Sequence, residues 1–345
     1  MRRSGARSGG PGAGASTGVL ALAFAIALGL AACSGGEPGA HESSDAATEA
    51  EGEAGFEPVI DRDFPDPDVL ESGGRYYLYA TNDARRNVQV AESDDLVEWT
   101  VLDEDALPEL PGWIIPGKTW APEVTEVTPG NFVMYTTATN FSPSVQCIAV
   151  ATSTSPTGPF TVQGDGMLVC PAEEGGAIDA STFRDADGTL HLLWKNDGNC
   201  CGHDTWLQVA PLSADGLALA GPPQRLIMQT LDWEGDLVEA PTLIERDGVF
   251  HLFYSANFYG DESYAVGHAT APVLEGPWTK DEEPFFSTAS TDGALVGPGG
   301  QDIVTDAAGD DVFVLHAWDP QFIEREVYTF PLVWEGGVPS VDVGR

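Results

Sequence analysis

Apolar and polar residues alternate in five short runs of the chain, and each run follows a glycine turn. A period of two is typical of half-buried β-strands. The runs are RYYLYAT after Gly74, NFVMYTT after Gly130, TLHLLWK after Gly188, VFHLFYS after Gly248 and DDVFVLHAW after Gly309. Successive equivalent positions are 56, 58, 60 and 62 residues apart when they are taken as Tyr76, Phe132, Leu190, Phe250 and Val312. Spacing this regular indicates an internal repeat.

A second strand-like segment follows each of the first four runs. These segments are NVQVAESDDLVEW, CIAVATSTSPTGPF, WLQVAPLSADG and YAVGHATAPVLEGPW. No segment after residue 33 keeps a 3.6-residue apolar period over helical length, so the fold class is all-β. Five units of three to four strands predict a five-bladed β-propeller over residues 57–345. The alternatives are a pair of β-sandwiches or a β-solenoid, but a repeat near sixty residues is too long for a solenoid rung.

A further strand precedes each glycine turn, and its first residue can be compared between units. Counting back ten residues in the first unit and eleven in the others gives Asp66, Ala121, Asp179, Glu239 and Gln301. The innermost strand of each propeller blade lines the central channel, so these side chains are expected to converge. Three of them are acids. Because clustered like charges destabilise a fold, such a cluster indicates catalysis or metal binding.

The first 33 residues have the pattern of an export signal rather than of a folded domain. Arg2, Arg3 and Arg7 precede an apolar run of twelve residues, Val19 to Leu30, which is too short to span a bilayer comfortably. The following LAAC-SGG stretch resembles the lipobox of bacterial lipoproteins, in which the signal is cut before the cysteine, here Cys33, and its thiol is lipidated. An ordinary signal peptide that contains a cysteine is the alternative. Residues 34–56, rich in Gly, Ala, Ser and Glu, predict a flexible acidic linker.

Charge and cysteine content narrow the partners and the compartment. The chain has 15 Lys+Arg against 54 Asp+Glu, a net charge of −39, which disfavours nucleic acid and anionic lipid as partners. A neutral sugar meets no such repulsion, and contact with a membrane is expected only through the lipid anchor. Besides Cys33, four cysteines remain, which suits an oxidising compartment outside the cytoplasm. Their three pairings stay open; the cysteines are Cys147, Cys170, Cys200 and Cys201.

From Phe64 to Trp334 the sequence resembles glycoside hydrolase family 43, the five-bladed propeller arabinosidases and xylosidases. The motifs that carry the resemblance are FPDPDVL with YYLYAT, WAPEV with MYTTA, IDASTF with DGTLHLLWK, VEAPTL with FHLFYSAN, then YAVGHA, GPW and GPG. The resemblance implies a general base at Asp66, an acid-positioning carboxylate at Asp179 and a general acid at Glu239. These are the three acids that the comparison of units found independently.

The resemblance also implies an inverting hydrolysis. In that mechanism one carboxylate activates water and a carboxylic acid protonates the departing oxygen, with the two carboxyl groups about 6.5–9.5 Å apart. Like-charge repulsion from Asp179 is expected to raise the pKa of Glu239, so that this acid holds its proton while Asp66 is ionised. A funnel at the propeller axis suits removal of a terminal sugar.

Other side chains are expected to complete the pocket. Trp120 is a candidate platform for stacking on a sugar ring, and Lys195 and Gln301 are candidates to hydrogen-bond sugar hydroxyls. Many family members have a histidine after Gly-Pro-Gly that is associated with calcium in the central channel, whereas this chain has Gly300 there. We therefore expect no metal ligands and no required cofactor, with calcium in the channel disfavoured.

The substrate expected from these motifs is an arabinose- or xylose-containing oligo- or polysaccharide. WKNDGN and GPGGQ favour an α-L-arabinofuranosidase. A β-xylosidase or an endo-arabinanase of the same family is the first alternative. The second, from another class, is a surface lipoprotein that binds glycans without cleaving them.

Overall fold

The computed structural model describes residues 56–344 of the 345-residue chain. The signal sequence, Cys33 and nearly all of the predicted linker lie outside the described residues. The described part contains twenty strands and four short 3-10 helices, joined by loops and turns. No helix among residues 56–344 is long and apolar enough to cross a membrane. The fold is all-β, as the sequence predicted.

The strands form five antiparallel sheets of four strands, each built from consecutive strands of the chain. The strands of blade 1 are β1 (Asp68–Ser72), β2 (Arg75–Ala80), β3 (Gln89–Ser93) and β4 (Thr100–Val101). Those of blade 2 are β5 (Ile114–Thr128), β6 (Asn131–Asn140), β7 (Gln146–Ser153) and β8 (Thr161–Val162). Those of blade 3 are β9 (Ala177–Arg184), β10 (Leu190–Asn196), β11 (Trp206–Pro211) and β12 (Gln224–Met228). Those of blade 4 are β13 (Val238–Arg246), β14 (Val249–Ala256), β15 (Ala265–Ala271) and β16 (Thr279–Lys280). Those of blade 5 are β17 (Val296–Thr305), β18 (Asp311–Trp318), β19 (Arg325–Glu335) and β20 (Val338–Val341).

The first strands of the blades close a ring around a central axis. Contacts run from β1 to β5, from β5 to β9, from β9 to β13, from β13 to β17 and from β17 back to β1. This is the predicted five-bladed propeller. The second strand of a blade packs on both faces between neighbouring blades, which is why β14 is buried along nearly its whole length. The apolar core therefore lies between the blades.

The chain closes the ring by adding its N-terminal segment to the last blade. The Val59 N–H donates to the Val327 carbonyl at 2.8 Å, and the Phe64 N–H donates to the Arg325 carbonyl at 2.9 Å. The ring of Phe56 packs edge-on against Phe330, with centroids 5.2 Å apart. The folded domain thus includes Phe56, which the sequence analysis assigned to the linker.

A bulge recurs near the start of the first strand in blades 2 to 5, where the strand pairing shifts and the bulged residue has a positive φ. In blade 1 the matching residue, Asp66, also has a positive φ and lies just before β1. These five residues, with their φ angles, are Asp66 (57°), Ala121 (40°), Asp179 (55°), Ala240 (46°) and Gly300 (56°). A bulge re-aims the side chains beside it, so this ring of bulges shapes the axial channel.

The pairing corrects the equivalences predicted in blades 4 and 5. Asp179 corresponds to Ala240 and Gly300, so Glu239 lies one position before the bulge and Gln301 one position after it. In blade 4 the turn between the first two strands is one residue shorter than in blade 3: four residues separate the pair Glu245–Phe250, but five separate Arg184–Leu190. Alternation of apolar residues is insensitive to such a change in turn length.

Two disulfides join the four cysteines of the domain. Cys147 pairs with Cys170, and Cys200 pairs with its neighbour Cys201. The first bond ties β7 to the segment that leads into blade 3, and the second lies in the turn between β10 and β11. The structure thus selects one of the three pairings that the sequence left open.

Candidate active site

A pocket of about 450 Å³ lies at the propeller axis, lined by the first strands of all five blades. Its volume falls in the range of about 300–1,000 Å³ that is common for small-molecule sites. All six predicted catalytic and binding residues line it: Asp66, Trp120, Asp179, Lys195, Glu239 and Gln301. The fold therefore brings together residues that are far apart in the sequence.

Asp66 lies just before β1, at the position in blade 1 that matches the bulges of the other blades. The Thr81 hydroxyl donates to its Oδ2 at 2.6 Å, and a guanidinium nitrogen of Arg325 lies 3.5 Å from its Oδ1. Burial raises the pKa of Asp66, but the positive charge of Arg325 and the Thr81 hydrogen bond lower it to below the usual value. Asp66 is therefore ionised at neutral pH.

His316, on β18, is hydrogen-bonded to the backbone of Asp66. It is fully buried, and its Nδ1 accepts the Asp66 backbone N–H at 3.0 Å. Burial and the charge of Arg325 lower the pKa of His316 to about 3, against the opposing effect of Asp66. The ring is thus neutral at neutral pH, with its proton on Nε2, so Arg325 and Thr81 remain as the groups that favour the Asp66 carboxylate.

Asp179 lies on the bulge of blade 3, and its pKa is shifted in the direction opposite to that of Asp66. Its Oδ2 accepts the Ala240 backbone N–H at 3.1 Å. Burial raises the pKa of Asp179 well above its usual value, and the charges of Glu239 and Asp66 add to this effect. Lys195 and the Ala240 hydrogen bond offset only part of it. The raised pKa of Asp179 is a finding of the structure, and the raised pKa that the sequence predicts for Glu239 stays a prediction.

Both carboxylate oxygens of Glu239 have donors. The Tyr264 hydroxyl donates to Oε1 and the Lys195 ammonium to Oε2, each at 2.9 Å. Lys195 is only 1% exposed, and its nitrogen lies 3.9 Å from Asp197 Oδ1. The ammonium group thus primarily fixes Glu239. Its predicted contact with sugar hydroxyls stays a prediction.

Gln301 and Trp120 occupy different parts of the pocket wall. The Gln301 side chain is fully engaged, since its Oε1 accepts from Ser255 at 2.8 Å and its Nε2 donates to the Ala240 carbonyl at 2.7 Å. This amide links blades 4 and 5 beside Glu239. Trp120 is half-buried and lines the pocket. Sugar contacts of both residues stay predictions.

Two adjacent glycines make room for the residues that support the carboxylates. A Cβ on Gly299 would come within 2.2 Å of the Tyr264 ring, and one on Gly300 within 2.5 Å of the His316 ring. Tyr264 and His316 stack with centroids 6.1 Å apart and planes 11° from parallel. Tyr264 was not predicted as a site residue from the sequence. The unusual pair of glycines in GPGGQ was the one signal that bulky side chains approach there.

A second ring of carboxylates lies one step deeper in the channel, two residues beyond the bulge. Asp68 accepts the Val124 backbone N–H and Asp302 the Val69 N–H, both at 2.8 Å. Glu123 likewise accepts the Thr182 backbone N–H at 3.0 Å. Each acid thus binds the backbone of the next blade, so this ring, here named the interblade acids, joins blades 5, 1, 2 and 3.

The described residues do not fit a calcium site built from protein carboxylates. Within residues 56–344 no group of three or more His, Cys, Asp or Glu side chains is arranged to hold a metal ion. The interblade acids are committed to backbone donors, and Gly300 offers no side chain. No step of the chemistry below is therefore routed through a metal.

The fold and site define the chain as a five-bladed β-propeller enzyme with a carboxylate-lined axial pocket. Its sequence matches the family "Glycosyl hydrolases family 43" over residues 56–339, most of the chain. The chain belongs to this family, and it is a glycoside hydrolase of that class.

Individual relatives agree with this assignment. The crystal structure of a thermostable family-43 glycoside hydrolase is 31% identical, with a TM-score of 0.71, covering 82% of this chain and 93% of that one. An endo-1,4-beta-xylanase from Bacteroides thetaiotaomicron VPI-5482 is 28% identical, with a TM-score of 0.69, covering 83% and 96% of the two chains. The extracellular endo-alpha-(1->5)-L-arabinanase 1 of Bacillus subtilis (strain 168) is 24% identical over 84% of this chain and 91% of its own length.

Proposed function

We propose that the axial pocket hydrolyses glycosidic bonds with inversion, with Asp66 as general base, Glu239 as general acid and Asp179 as the residue that orients the acid. The observation that carries the proposal is the convergence of three carboxyl groups in one pocket, two of which have pKa values shifted in opposite directions. Asp66 has a lowered pKa, and Asp179 has a raised one. Groups whose environments push their pKa values apart are typical of acid–base pairs.

The base role of Asp66 follows from its charge. An ionised carboxylate next to Thr81 and Arg325 can accept a proton from a water molecule held between it and the sugar. The water oxygen then bonds to the anomeric carbon on the face opposite the leaving group. The C–O bond to the leaving group breaks as that bond forms, which inverts the configuration.

The acid role of Glu239 follows from its position and its donors. Tyr264 and Lys195 fix both oxygens, so the carboxyl group has one orientation toward the pocket. Its proton passes to the departing oxygen. After the products leave, Asp66 releases the proton that it took from water, and Glu239 takes up a proton, so that both groups return to their starting states. Buried Asp179 favours a retained proton on this side of the pocket, because two adjacent carboxylates are not easily ionised together.

The substrate that we propose is a plant-type oligo- or polysaccharide, from which terminal α-L-arabinofuranosyl units are removed. The names of the relatives include an arabinanase and a xylanase, which supports pentose-containing polymers as the substrate class. The arabinofuranosidase assignment rests on WKNDGN and GPGGQ. A β-xylosidase or endo-arabinanase activity is the alternative within the family.

We further propose that the protein is exported and held at the cell surface by a lipid on Cys33. The Bacillus subtilis arabinanase and a similar Thermotoga petrophila enzyme are named extracellular, which supports export. The expected result of Cys33→Ser in the producing cell is release of the protein from the membrane fraction. Membrane retention of this variant would contradict the anchor.

The activity is tested with the purified full chain on an aryl α-L-arabinofuranoside, an aryl β-D-xyloside, and arabino- and xylo-oligosaccharides. We expect hydrolysis of the arabinosides, with Asp66→Asn losing about 10²–10⁴-fold in kcat on every substrate. Glu239→Gln should lose a similar factor on oligosaccharides but much less on aryl glycosides, because a good leaving group departs without protonation.

A matched control is available on the strand that carries Glu239. Glu245→Gln makes the same chemical change at an exposed position of β13 and should leave kcat unchanged. No turnover of any substrate by a folded chain that still binds oligosaccharides would favour the glycan-binding lipoprotein. Equal losses for Glu239→Gln on aryl and natural substrates would contradict its role as acid.

A further inference from the structure

Large apolar side chains are exposed next to the pocket on two loops. Phe258 and Tyr259 follow β14 and are 54% and 47% exposed, and both line the pocket. Phe322, on the loop after β18, is 45% exposed and stacks on Trp318. We name Phe258, Tyr259, Trp318 and Phe322 the aromatic rim. Exposed apolar clusters of this kind mark binding surfaces, because leaving them in water is unfavourable.

The aromatic rim is a built structure rather than a set of loose side chains. Trp318 Nε1 donates to the Tyr259 carbonyl at 2.8 Å, which joins the two loops. The Phe258 and Tyr259 rings lie 5.3 Å apart, and the Trp318 and Phe322 rings lie 5.9 Å apart at 28°. Rings held in place bind with little loss of conformational entropy.

Arg325 connects the aromatic rim to the chemistry of the pocket. Its guanidinium carbon lies 5.3 Å from the Tyr259 ring centre and 5.7 Å from that of Trp318, within cation–π range. The same guanidinium group reaches Asp66 at 3.5 Å. The rim is thus continuous with the wall of the pocket, so a molecule held in the pocket can extend onto it.

The direction of that extension follows from the position of the acid. Glu239 is on blade 4, and the oxygen that it protonates belongs to the leaving group. Phe258 and Tyr259 are on the loop of the same blade, and Trp318 and Phe322 extend the surface over blade 5. The part of the substrate beyond the cleaved bond therefore leaves the pocket past blade 4.

We propose that the aromatic rim binds the leaving-group side of an oligosaccharide, at least two sugar units beyond the cleaved bond. The inference rests on the proposed function, from which it takes the role of Glu239. Pentose rings present C–H faces that pack on aromatic rings, while their hydroxyls remain in water. The enzyme therefore discriminates between a short aryl glycoside and a natural chain through a surface outside the pocket.

The test compares kcat/KM for a linear trisaccharide with kcat/KM for the aryl glycoside of the same sugar, in Phe258→Ala, Phe322→Ala and the double variant of the full chain. Arabinotriose is used if the wild type cleaves arabinosides, and xylotriose if it cleaves xylosides. The ratio of the two values should fall about fivefold to twentyfold in each single variant, mainly through KM of the trisaccharide.

Phe141→Ala is the matched control. Phe141 is 60% exposed on the corresponding loop of blade 2, after the second strand of its blade, and it does not line the pocket. Its removal should leave the ratio unchanged. An unchanged ratio in both rim variants would overturn the proposal, as would a fall confined to Phe141→Ala, since the chain would then run over blade 2.

Binding to the Glu239→Gln variant separates this proposal from the proposed function. Titration with the monosaccharide and the trisaccharide, followed by tryptophan fluorescence, should show at least tenfold tighter binding of the trisaccharide. The advantage should disappear when Phe258 and Phe322 are also replaced by alanine. If the wild type cleaves nothing, the proposed function fails, while this titration still supports or overturns the rim.

Discussion

Tyr264 and His316 stack on each other, and each contacts a different member of the proposed acid–base pair. Tyr264 donates to Glu239, and His316 accepts the backbone N–H of Asp66. The geometry of the acid and the base is therefore set by one aromatic pair. At the scale of the residue, this coupling makes Tyr264 a positioning residue for the acid.

Tyr264→Phe removes the donor to Glu239 Oε1 but keeps the ring stacked on His316. We expect kcat on a natural oligosaccharide to fall about 10–100-fold with little change in KM, because the acid loses its orientation while the sugar pocket stays intact. The loss on an aryl glycoside should be much smaller. Steady-state kinetics on both substrates check this, with thermal unfolding to confirm the fold. Equal losses on the two substrates would contradict a role through Glu239.

Single residues were predictable where a motif marks them, and less so where only the folded chain brings partners together. Asp66, Asp179 and Glu239 could be found from the sequence, because acids stand near the same point of three repeats. Tyr264 could not, since its partner is 25 residues away and strand periodicity says nothing about what a hydroxyl meets. The raised pKa of Asp179 was also hidden, because desolvation depends on packing.

At the scale of the element, the bulge that opens each first strand controls the aim of the carboxylates. Gly300 forms this bulge in blade 5 with a φ of 56°. A Cβ there would lie 2.5 Å from the His316 ring and 3.2 Å from Asp66 Oδ1. The bulge of blade 5 therefore packs against Asp66 of blade 1, the proposed general base.

Gly300→Ala is expected to lower both stability and activity. The strained φ and the steric overlap should reduce the free energy of unfolding by about 2–4 kcal/mol, and kcat should fall at least tenfold because Asp66 is displaced. Gly309→Ala is the control, since its φ of 89° is at least as unfavourable for alanine but nothing lies within 4 Å of the added carbon. It should cost about 1 kcal/mol and leave kcat unchanged. Denaturant unfolding and kinetics measure both; equal effects of the two substitutions would contradict the steric argument.

The repeated strands and their number were readable from alternation, because a half-buried strand requires it. The register of the strands at the bulges could not be predicted from this alternation. A turn shorter by one residue leaves the apolar pattern of β14 intact but moves Glu239 off the position that Asp179 occupies. Elements could therefore be predicted, and the side chains next to a bulge only to within one position.

At the scale of the whole molecule, the interblade acids join neighbouring blades around the channel. Burial raises the pKa of Glu123 to about 7 and that of Asp302 to about 6, and it raises that of Asp68 well above its usual range. The charges of Glu123 and Asp302 raise the pKa of Asp68 further. Carboxyl groups in an unfolded chain have pKa values of about 4.

Because their pKa values are raised in the folded state, the interblade acids contribute more to the stability of the propeller in mild acid than at neutral pH. Their stabilisation is fully present below about pH 4 and is lost as the pH rises through about 6 to 7. Each group changes the free energy of unfolding by up to about 1.4 kcal/mol per pH unit in that window. Urea unfolding at several pH values between 4 and 8 measures the slope.

Glu123→Gln removes one titrating group and keeps an oxygen that can accept the Thr182 N–H. The slope of stability against pH between about 5 and 7 should become less steep in this variant than in the wild type. Glu245→Gln, at an exposed position of β13, should leave the slope unchanged. An identical slope in Glu123→Gln and the wild type would show that Glu123 does not titrate in this window.

If Asp66 and Glu239 act on opposite faces of one sugar, the product must form with inverted stereochemistry. Proton NMR in the first minutes of hydrolysis of an oligosaccharide that the wild type cleaves shows which anomer of the released sugar forms first. We expect this anomer to have the configuration opposite to that of the substrate bond, and we expect its release to be lost in both Asp66→Asn and Glu239→Gln. A first-formed anomer of the same configuration would mean that a carboxylate attacks the sugar directly, and it would contradict the roles assigned to this pocket.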